Sequence, residues 1–260
     1  MPYANNQGVR IYYEVEGEGP LLVLQHGFSG SLRDWRDFGY VEGLKNDYRL
    51  LLVDARGHGS SDKPHHVEAY TSQARVGDIL AVLDALTLSK AHYCGYSMGG
   101  WIGFALAKYA PERFHSFMIG GMHPYKRDPE PLNQRVAMLR KGMEAYVATI
   151  EASAGPLPPH VRALALANDA EALMAATLGI RDDPGFAEVL PTMTMPCLVY
   201  SGEADASYPS AQDAVQHIPH VTFVSLPALN HMEAFMRREV VLPHITKFLG
   251  TVTEERGALA

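Results

Sequence analysis

The sequence predicts an α/β fold in which a mostly parallel sheet is flanked by helices. Short apolar runs alternate along the chain with longer stretches of helical periodicity, which is typical of strand–helix–strand units. Most of these runs are apolar throughout, as expected of strands that are covered on both faces of a sheet. The alternation is interrupted only between about residues 122 and 192, where an inserted segment is expected.

The strands follow from the runs in chain order. Residues 9–15 alternate between polar and apolar side chains and are predicted to form an edge strand. The continuous apolar runs predict strands over residues 21–25, 50–53, 92–95, 117–120, 197–200 and 221–226. Apolar stripes at helical spacing predict helices over residues 73–86, 98–109 and 233–249.

The interrupting segment has no strand-like run, is rich in Ala, Leu and Met, and is divided by prolines. It predicts three or four short helices. They would form either a bundle that only thickens the core or a lid over an active site, and we favour the lid. The predicted organisation is therefore an α/β core of residues 1–121 and 193–260 and a helical lid of residues 122–192. Residues 254–260 are expected to fray.

Composition excludes several classes of protein. The 260 residues are 47 % hydrophobic and 20 % charged, which is ordinary for a globular domain. The net charge of −7 and the absence of a basic run argue against binding to nucleic acid. No stretch of 18 apolar residues could cross a membrane. The first twenty residues lack the apolar core of a signal peptide, which predicts a cytoplasmic protein. Cys94 and Cys197 are expected to be inert core thiols.

The strongest chemical signal is Gly95-Tyr96-Ser97-Met98-Gly99, between a predicted strand and a predicted helix. A G-x-S-x-G sequence in this context is a nucleophile elbow. The turn is so tight that the residues two before and two after the serine must be small. The serine would then project above the sheet, near the positive end of the helix dipole.

Two further motifs occur with this elbow. His26-Gly27-Phe28 follows the strand at residues 21–25, and Asp54-Ala55-Arg56-Gly57-His58-Gly59-Ser60 follows the strand that ends at Val53. As a set, the three motifs resemble the α/β-hydrolase superfamily, in the branch with an H-G-x oxyanion loop and an R-G-H-G-x-S loop. The resemblance implies an eight-stranded sheet and a catalytic triad in the chain order serine, acid, histidine. It also implies structural roles for His26 and His58.

The resemblance assigns the triad to Ser97, Asp205 and His231. Asp205 fits a strand followed by G-x-x-D-x-x-x-P, while Glu203, two residues earlier, stays a rival for the acid. His231 lies on the loop after the last predicted strand. The family more often has Gly before this histidine, and Asn230 stands there instead, a residue that also tolerates a left-handed backbone.

An oxyanion hole needs donors directed at the developing negative charge. In this fold they are backbone N–H groups, here those of Phe28 and Met98. His123, Met143 and Tyr146 are predicted to line the substrate pocket. The sequence contains no metal-ligand set, dinucleotide fingerprint or P-loop, so no metal and no cofactor are expected.

The resulting prediction is a serine hydrolase that cleaves a small-molecule carboxylic ester or lactone through an acyl-enzyme. Three alternatives share its residues. One is hydrolysis of a carbon–carbon bond in aromatic breakdown, as in some relatives. Such a site usually needs a cation for the substrate carboxylate, and the sequence offers five candidates without singling one out: Arg33, Arg36, Lys126, Arg127 and Arg135. Another is a cofactor-free perhydrolase or haloperoxidase, against which Phe28-Ser29 argues, since those relatives often have Trp-Pro there. The last is a non-catalytic ligand receptor. Epoxide hydrolases and haloalkane dehalogenases are excluded because they use Asp where Ser97 stands.

Overall fold

The computed structural model describes residues 2–257 and contains an eight-stranded sheet in the order β1-β2-β4-β3-β5-β6-β7-β8. The strands are β1 (Tyr3–Asn6), β2 (Val9–Glu16), β3 (Leu21–Gln25), β4 (Arg49–Val53), β5 (Ala91–Tyr96), β6 (Phe114–Gly120), β7 (Cys197–Gly202) and β8 (Val221–Leu226). β2 pairs antiparallel with β1 and β4, and all other pairs are parallel. The predicted fold class is confirmed.

Strand β1 was not predicted from the sequence, because it is a four-residue segment that ends in two asparagines. It pairs with β2 along the full length of β1, so β2 is the second strand of the sheet. The prediction that residues 9–15 form the edge is therefore wrong. Their alternating pattern reflects instead one buried and one partly exposed face, with Ile11 and Tyr13 buried.

Helices alternate with the strands along most of the chain. In chain order they are α1 (Arg33–Asp37), α2 (Tyr40–Leu44), α3 (Ser72–Ala85), α4 (Met98–Tyr109), α5 (Pro129–Leu139), α6 (Met143–Ala154), α7 (Pro159–Leu166), α8 (Ala170–Leu178), α9 (Tyr208–Ala214), α10 (Glu233–Met236) and α11 (Arg238–Gly257). The helix predicted over residues 233–249 is broken at Arg237, and α11 continues to Gly257, so residues 258–260 of the expected frayed tail lie outside the described residues. Within the described chain, no helix is both long enough and apolar enough to cross a membrane.

The continuous apolar strands are explained by two hydrophobic clusters, one on each face of the sheet. In β3, Val23 packs with α3 and α4 on one face, while Leu22 and Leu24 pack with α1, α2 and α11 on the other. Because successive side chains of a strand point to opposite faces, a strand covered on both sides must be apolar at every position. Cys94 and Cys197 lie in this core, buried and unpaired, on β5 and β7 with β6 between them.

Helices α5 to α8 form an insertion between β6 and β7. The chain enters and leaves it through a narrow neck, where Tyr125 and Gly185 form an antiparallel bridge and the Phe186 N–H donates to the Pro124 carbonyl at 2.6 Å. Residues on the core side of this neck pack against the sheet and α4: Met122, Phe186 and Leu190 are buried in the hydrophobic cluster that contains α4. The predicted lid boundaries, 122 and 192, therefore include residues that pack in the core.

Candidate active site

Ser97 occupies a sharp turn between β5 and α4, at the carboxyl edge of the parallel strands. Its backbone has φ 54° and ψ −112°, a strained conformation for a residue with a side chain. The neighbouring glycines are a steric requirement. A Cβ at Gly95 would come within 2.3 Å of the Gly99 carbonyl oxygen, and one at Gly99 within 2.2 Å of the Gln25 carbonyl oxygen. The structure thus places Ser97 where the elbow motif predicts, half-buried at the edge of the sheet and lining a cavity.

The side chains of Ser97, His231 and Asp205 come from three separate loops and form one hydrogen-bonded series. The His231 Nε2 lies 2.9 Å from the Ser97 Oγ, and the His231 Nδ1 lies 2.6 Å from an Asp205 carboxylate oxygen. A carboxylate only accepts, so Nδ1 carries the proton and Nε2 is left to accept from the serine hydroxyl. This is the arrangement in which an imidazole can act as a general base towards a serine.

Asp205 is held in its ionised form. Burial alone would raise the pKa of its carboxyl, but the hydrogen bond from His231 and the backbone N–H of Ser207 outweigh burial and keep the pKa below its usual value. The rival acid, Glu203, lies on the exposed side of the same loop and accepts a hydrogen bond from the Ser225 hydroxyl at 2.6 Å. Of the two candidate acids, the structure brings only Asp205 to His231.

The loop that carries His231 is fixed by a reciprocal cap. The Asn230 side chain accepts from the N–H groups of Met232 and Glu233 at 3.0 Å each, and the Glu233 carboxylate accepts from the Asn230 N–H at 2.9 Å. This is a capping box at the start of α10. Asn230 does not use its tolerance of a left-handed backbone, since the left-handed residue of this loop is Ala228, with φ 59°. Asn230 therefore serves the loop through its side chain.

Tyr96 also holds this loop, and only its place next to Ser97 in the sequence could have pointed to it. Its hydroxyl donates to the His231 carbonyl oxygen at 2.6 Å, and its ring stacks on Phe235 at 4.6 Å between centroids. The backbone of the histidine loop is thus tied directly to the strand that ends at the serine.

The loop that begins at His26 is anchored to the loop after β4. The His26 Nε2 accepts from the Ala55 N–H at 3.0 Å, so its Nδ1 carries a proton, which it donates to the Gly27 carbonyl oxygen at 2.7 Å. Burial lowers the pKa of His26, so the ring stays neutral. Asp54 adds a second tie by accepting from the N–H groups of Leu32 and Ser60. These contacts give His26 a structural part.

The loop reaches the serine at Gly27, where an added Cβ would lie 3.5 Å from the Ser97 Cβ. The next N–H along the chain is that of Phe28, and the N–H after the serine is that of Met98. Neither group donates to a backbone acceptor in residues 2–257. Free N–H groups beside a nucleophile are what an oxyanion hole requires.

A cavity of about 860 Å³ lies over Ser97 and His231, between the carboxyl edge of the sheet and the insertion. Its floor includes Gly27, Phe28 and Asp205. The opposite wall is formed by residues of the insertion, which include Arg135, Tyr146, Ile150, Ser153, Leu157, Val161, Leu164 and Asn168. Of the three predicted pocket residues, Tyr146 lines this cavity. Met143 packs beside Tyr146 in a small apolar cluster, and the His123 ring lies 5.9 Å from that of Tyr125, centroid to centroid, in a tilted pair; neither Met143 nor His123 lines this cavity.

Two charged residues of the cavity were not selected from sequence. The Arg135 guanidinium carbon lies 4.5 Å from the centre of the Phe28 ring. Asp34 accepts from the Ser31 N–H at 3.2 Å, and burial raises the pKa of its carboxyl to about 7. No sequence motif includes either residue, and the sequence named Arg135 only as one of five cations that could bind a substrate carboxylate, without singling it out. Among the described side chains, no group of three His, Cys, Asp or Glu is placed to hold a metal ion.

The comparison with known proteins agrees with this architecture. A family model described as the α/β hydrolase fold matches residues 20–149. An enol-lactonase from Burkholderia xenovorans LB400 superimposes with a TM-score of 0.86 and 26 % identity, over 96 % of this chain and 100 % of that one.

Among curated relatives, 3-oxoadipate enol-lactonase 1 of Acinetobacter baylyi is 36 % identical over 117 residues, covering 44 % of this chain and 42 % of the relative. A putative 2-succinyl-6-hydroxy-2,4-cyclohexadiene-1-carboxylate synthase of Bacillus subtilis is 32 % identical over 155 residues, covering 55 % of each chain. These alignments span about half of the length of the curated relatives. With the sheet order and the matched half of the sequence, they establish that this chain belongs to the α/β hydrolase fold family.

Proposed function

We propose that this protein is a serine hydrolase that cleaves a carboxylic ester or a lactone of a small molecule. The observation that carries the proposal is the unbroken series of hydrogen bonds from Ser97 through His231 to Asp205, open to a cavity. The enol-lactonases to which the chain is similar support the choice of bond.

In the proposed mechanism the Ser97 Oγ attacks the carbonyl carbon while the His231 Nε2 takes its proton. The N–H groups of Phe28 and Met98 donate to the oxyanion that forms. His231 then passes the proton to the leaving oxygen as the carbon–oxygen bond breaks. A water molecule deprotonated by His231 releases the acyl group, and Ser97 recovers its hydrogen. Asp205 stabilises the imidazolium through both attacks.

The insertion is proposed to act as a lid. It contributes one wall of the cavity, and apart from Asn168 and Ser153 the uncharged residues that face the cavity there are apolar or aromatic. An apolar wall over the serine removes water from the acyl group and selects its size. Action in the cytoplasm is part of the same proposal.

The test is covalent labelling with a fluorophosphonate, combined with turnover of a phenyl ester. We expect one label per chain, on Ser97, and loss of both labelling and turnover in Ser97→Ala. Ser29→Ala is the matched control, because Ser29 also lines the cavity and makes no hydrogen bond to His231. Labelling that survives Ser97→Ala would refute the nucleophile. Labelling without turnover of any ester or lactone would favour the receptor, and turnover of a dienoate alone would favour carbon–carbon hydrolysis.

A further inference from the structure

Arg135 is a cation of the cavity that lacks an anionic partner. It lies on α5, is half-buried, and faces the cavity that contains Ser97 and His231. Among the side chains that the structure describes, no carboxylate lies within 4.0 Å of its guanidinium. Within the part of the chain that the structure describes, its one specific contact is with the face of the Phe28 ring, whose centre lies 4.5 Å from the guanidinium carbon. A guanidinium partly removed from water without a counter-ion attracts anions.

The carboxylates of the same cavity do not supply that counter-ion, because each is engaged by a group of its own. Their partners are Arg36 for Glu14, the Ser31 N–H for Asp34, the N–H groups of Leu32 and Ser60 for Asp54, and His231 for Asp205. The positive charge of Arg135 is thus left for a ligand.

A second arginine strengthens the positive potential on this side. Arg127 lies over the Trp101 ring, 5.9 Å from its centre. Burial, together with the charges of Arg135 and Arg75, lowers the pKa of Arg127 to about 10. The repulsion between neighbouring like charges is relieved when an anion binds between or beside them.

The contact with Phe28 also leaves donors available. A guanidinium presents five N–H donors in a planar fork, and the Phe28 ring that Arg135 contacts has no oxygen or nitrogen to accept from them. This fork matches the two oxygens of a carboxylate. The ring beneath it belongs to Phe28, whose N–H is a proposed oxyanion donor. An anion on Arg135 would therefore lie near the acyl carbon.

We infer that Arg135 binds a carboxylate of the substrate, so that the preferred ester or lactone carries a free carboxylate a few bonds from the scissile carbonyl. This inference rests on the proposed hydrolase function. Two other cations line the cavity, but Arg33 is exposed, and the Lys63 ammonium donates to the carbonyl oxygens of Gly59 and Ser61. Arg135 is the one placed beside the proposed oxyanion hole.

The test compares two substrates that differ in one charge, 4-nitrophenyl hydrogen glutarate and 4-nitrophenyl methyl glutarate, after subtraction of spontaneous hydrolysis. We expect Arg135→Ala to lower kcat/KM about 10- to 100-fold for the acid, the range of a charge-assisted hydrogen bond, and to leave the methyl ester within about threefold. Arg135→Lys should keep part of the preference. Arg140→Ala, which removes an exposed cation at the end of the same helix, should change neither substrate.

An equal loss on both substrates would overturn the inference, because it would mean that Arg135 only supports Phe28. Absence of any preference in the unmodified enzyme would overturn it as well. The hydrolase proposal itself would fail in a different way. Neither ester would be turned over, or turnover would survive in Ser97→Ala. Glutarate binding measured by calorimetry then tests Arg135 directly. Binding weakened about tenfold or more by Arg135→Ala would support the inference, and unchanged or undetectable binding would refute it.

Discussion

At the scale of single residues, Asp205 and Glu203 show that two acids two positions apart on one loop can have different surroundings. Both follow β7, yet Asp205 is buried against the His231 Nδ1 while Glu203 accepts from Ser225 at the surface. The loop turns back after Gly202, where the Asp205 N–H donates to the Gly202 carbonyl oxygen, and this turn brings the Asp205 carboxylate to His231. Position along the loop, rather than the type of acid, decides which carboxylate can orient the histidine.

We predict that Asp205→Asn lowers kcat by about 10³- to 10⁴-fold, because an amide no longer selects the tautomer that accepts from Ser97. Glu203→Gln, the matched control, should stay within about tenfold. Steady-state kinetics on one activated ester would measure both, and melting temperatures within a few degrees of the parent would show that folding is unaffected. A larger loss in Glu203→Gln would reassign the acid.

The buried carboxyl of Asp34 gives a prediction about pH. Its pKa of about 7 in the folded chain lies above the value of 3.8 for an unperturbed aspartate, and burial is the main cause. Folding therefore favours the protonated form, and the free energy of unfolding falls as pH rises from about 4 through 7, by roughly 2–4 kcal/mol in total.

Asp34→Asn keeps an acceptor for Ser31 and removes this charge. We expect it to raise the melting temperature by about 5 °C or more at pH 8.5 and by much less at pH 5. The exposed Asp47→Asn should show no such pH-dependent difference. An equal effect of Asp34→Asn at both pH values would contradict a raised pKa.

At the scale of elements, the strand–turn–helix at Ser97 depends on close backbone contact. Gly99 packs against the carbonyl group of Gln25 on the neighbouring strand β3, so the elbow is held by the sheet as well as by its own turn. A contact with backbone atoms cannot be relieved by rotation of a side chain.

We predict that Gly99→Ala destabilises the protein by about 1–3 kcal/mol, the range for overpacking, and abolishes labelling of Ser97. Gly250→Ala is the control, since an added Cβ there meets nothing within 4 Å, and it should raise stability by up to about 1 kcal/mol through helix propensity. Thermal melts and fluorophosphonate labelling would measure both. A Gly99→Ala protein with parental stability would contradict the close packing.

The capping box at Asn230 belongs to the start of α10 and holds the backbone on both sides of His231. Removal of the cap in Asn230→Ala should cost about 1 kcal/mol of stability and lower kcat more than it changes KM, because His231 would no longer be held in place. Asn230→Ser should retain most activity, since serine also caps. Asn133→Ala, at an exposed site, is the control. A KM effect without a kcat effect would argue against positioning.

At the scale of the whole molecule, the neck at Tyr125 and Gly185 marks the boundary of the insertion. This boundary lies inside the one predicted from composition, at residues 122 and 192. The residues just beyond it are core residues, as shown by the contact of Phe186 with Trp101 at 4.9 Å between ring centroids. Each such side chain contributes about 1.5–3 kcal/mol when buried.

We therefore predict that replacing residues 126–184 by a short Gly/Ser turn leaves a folded core, whereas replacing 122–192 does not. The shorter replacement should still hydrolyse an acetyl ester but lose the preference of the full chain for acyl size. Circular dichroism and an ester series of graded length would test this. An unfolded shorter variant, or an unchanged preference, would count against the lid.

The sequence by itself determined the features that arise from local rules. The parallel sheet followed from apolar runs, because a strand covered on both faces has no polar position. The elbow followed from Gly95 and Gly99, because a turn that tight excludes other side chains. The candidate histidine followed from its place after the last strand, at the edge where parallel strands all end.

Only the tertiary structure decided the features that depend on contacts between distant segments. Crossovers bring Asp205 and His231 to Ser97 across more than a hundred residues, and they leave Glu203 outside. They also put Arg135 over Phe28 and β1 beyond β2. No local pattern specifies such pairs, because the side chains that meet are chosen by the order of strands in the sheet and by the path of the insertion above it.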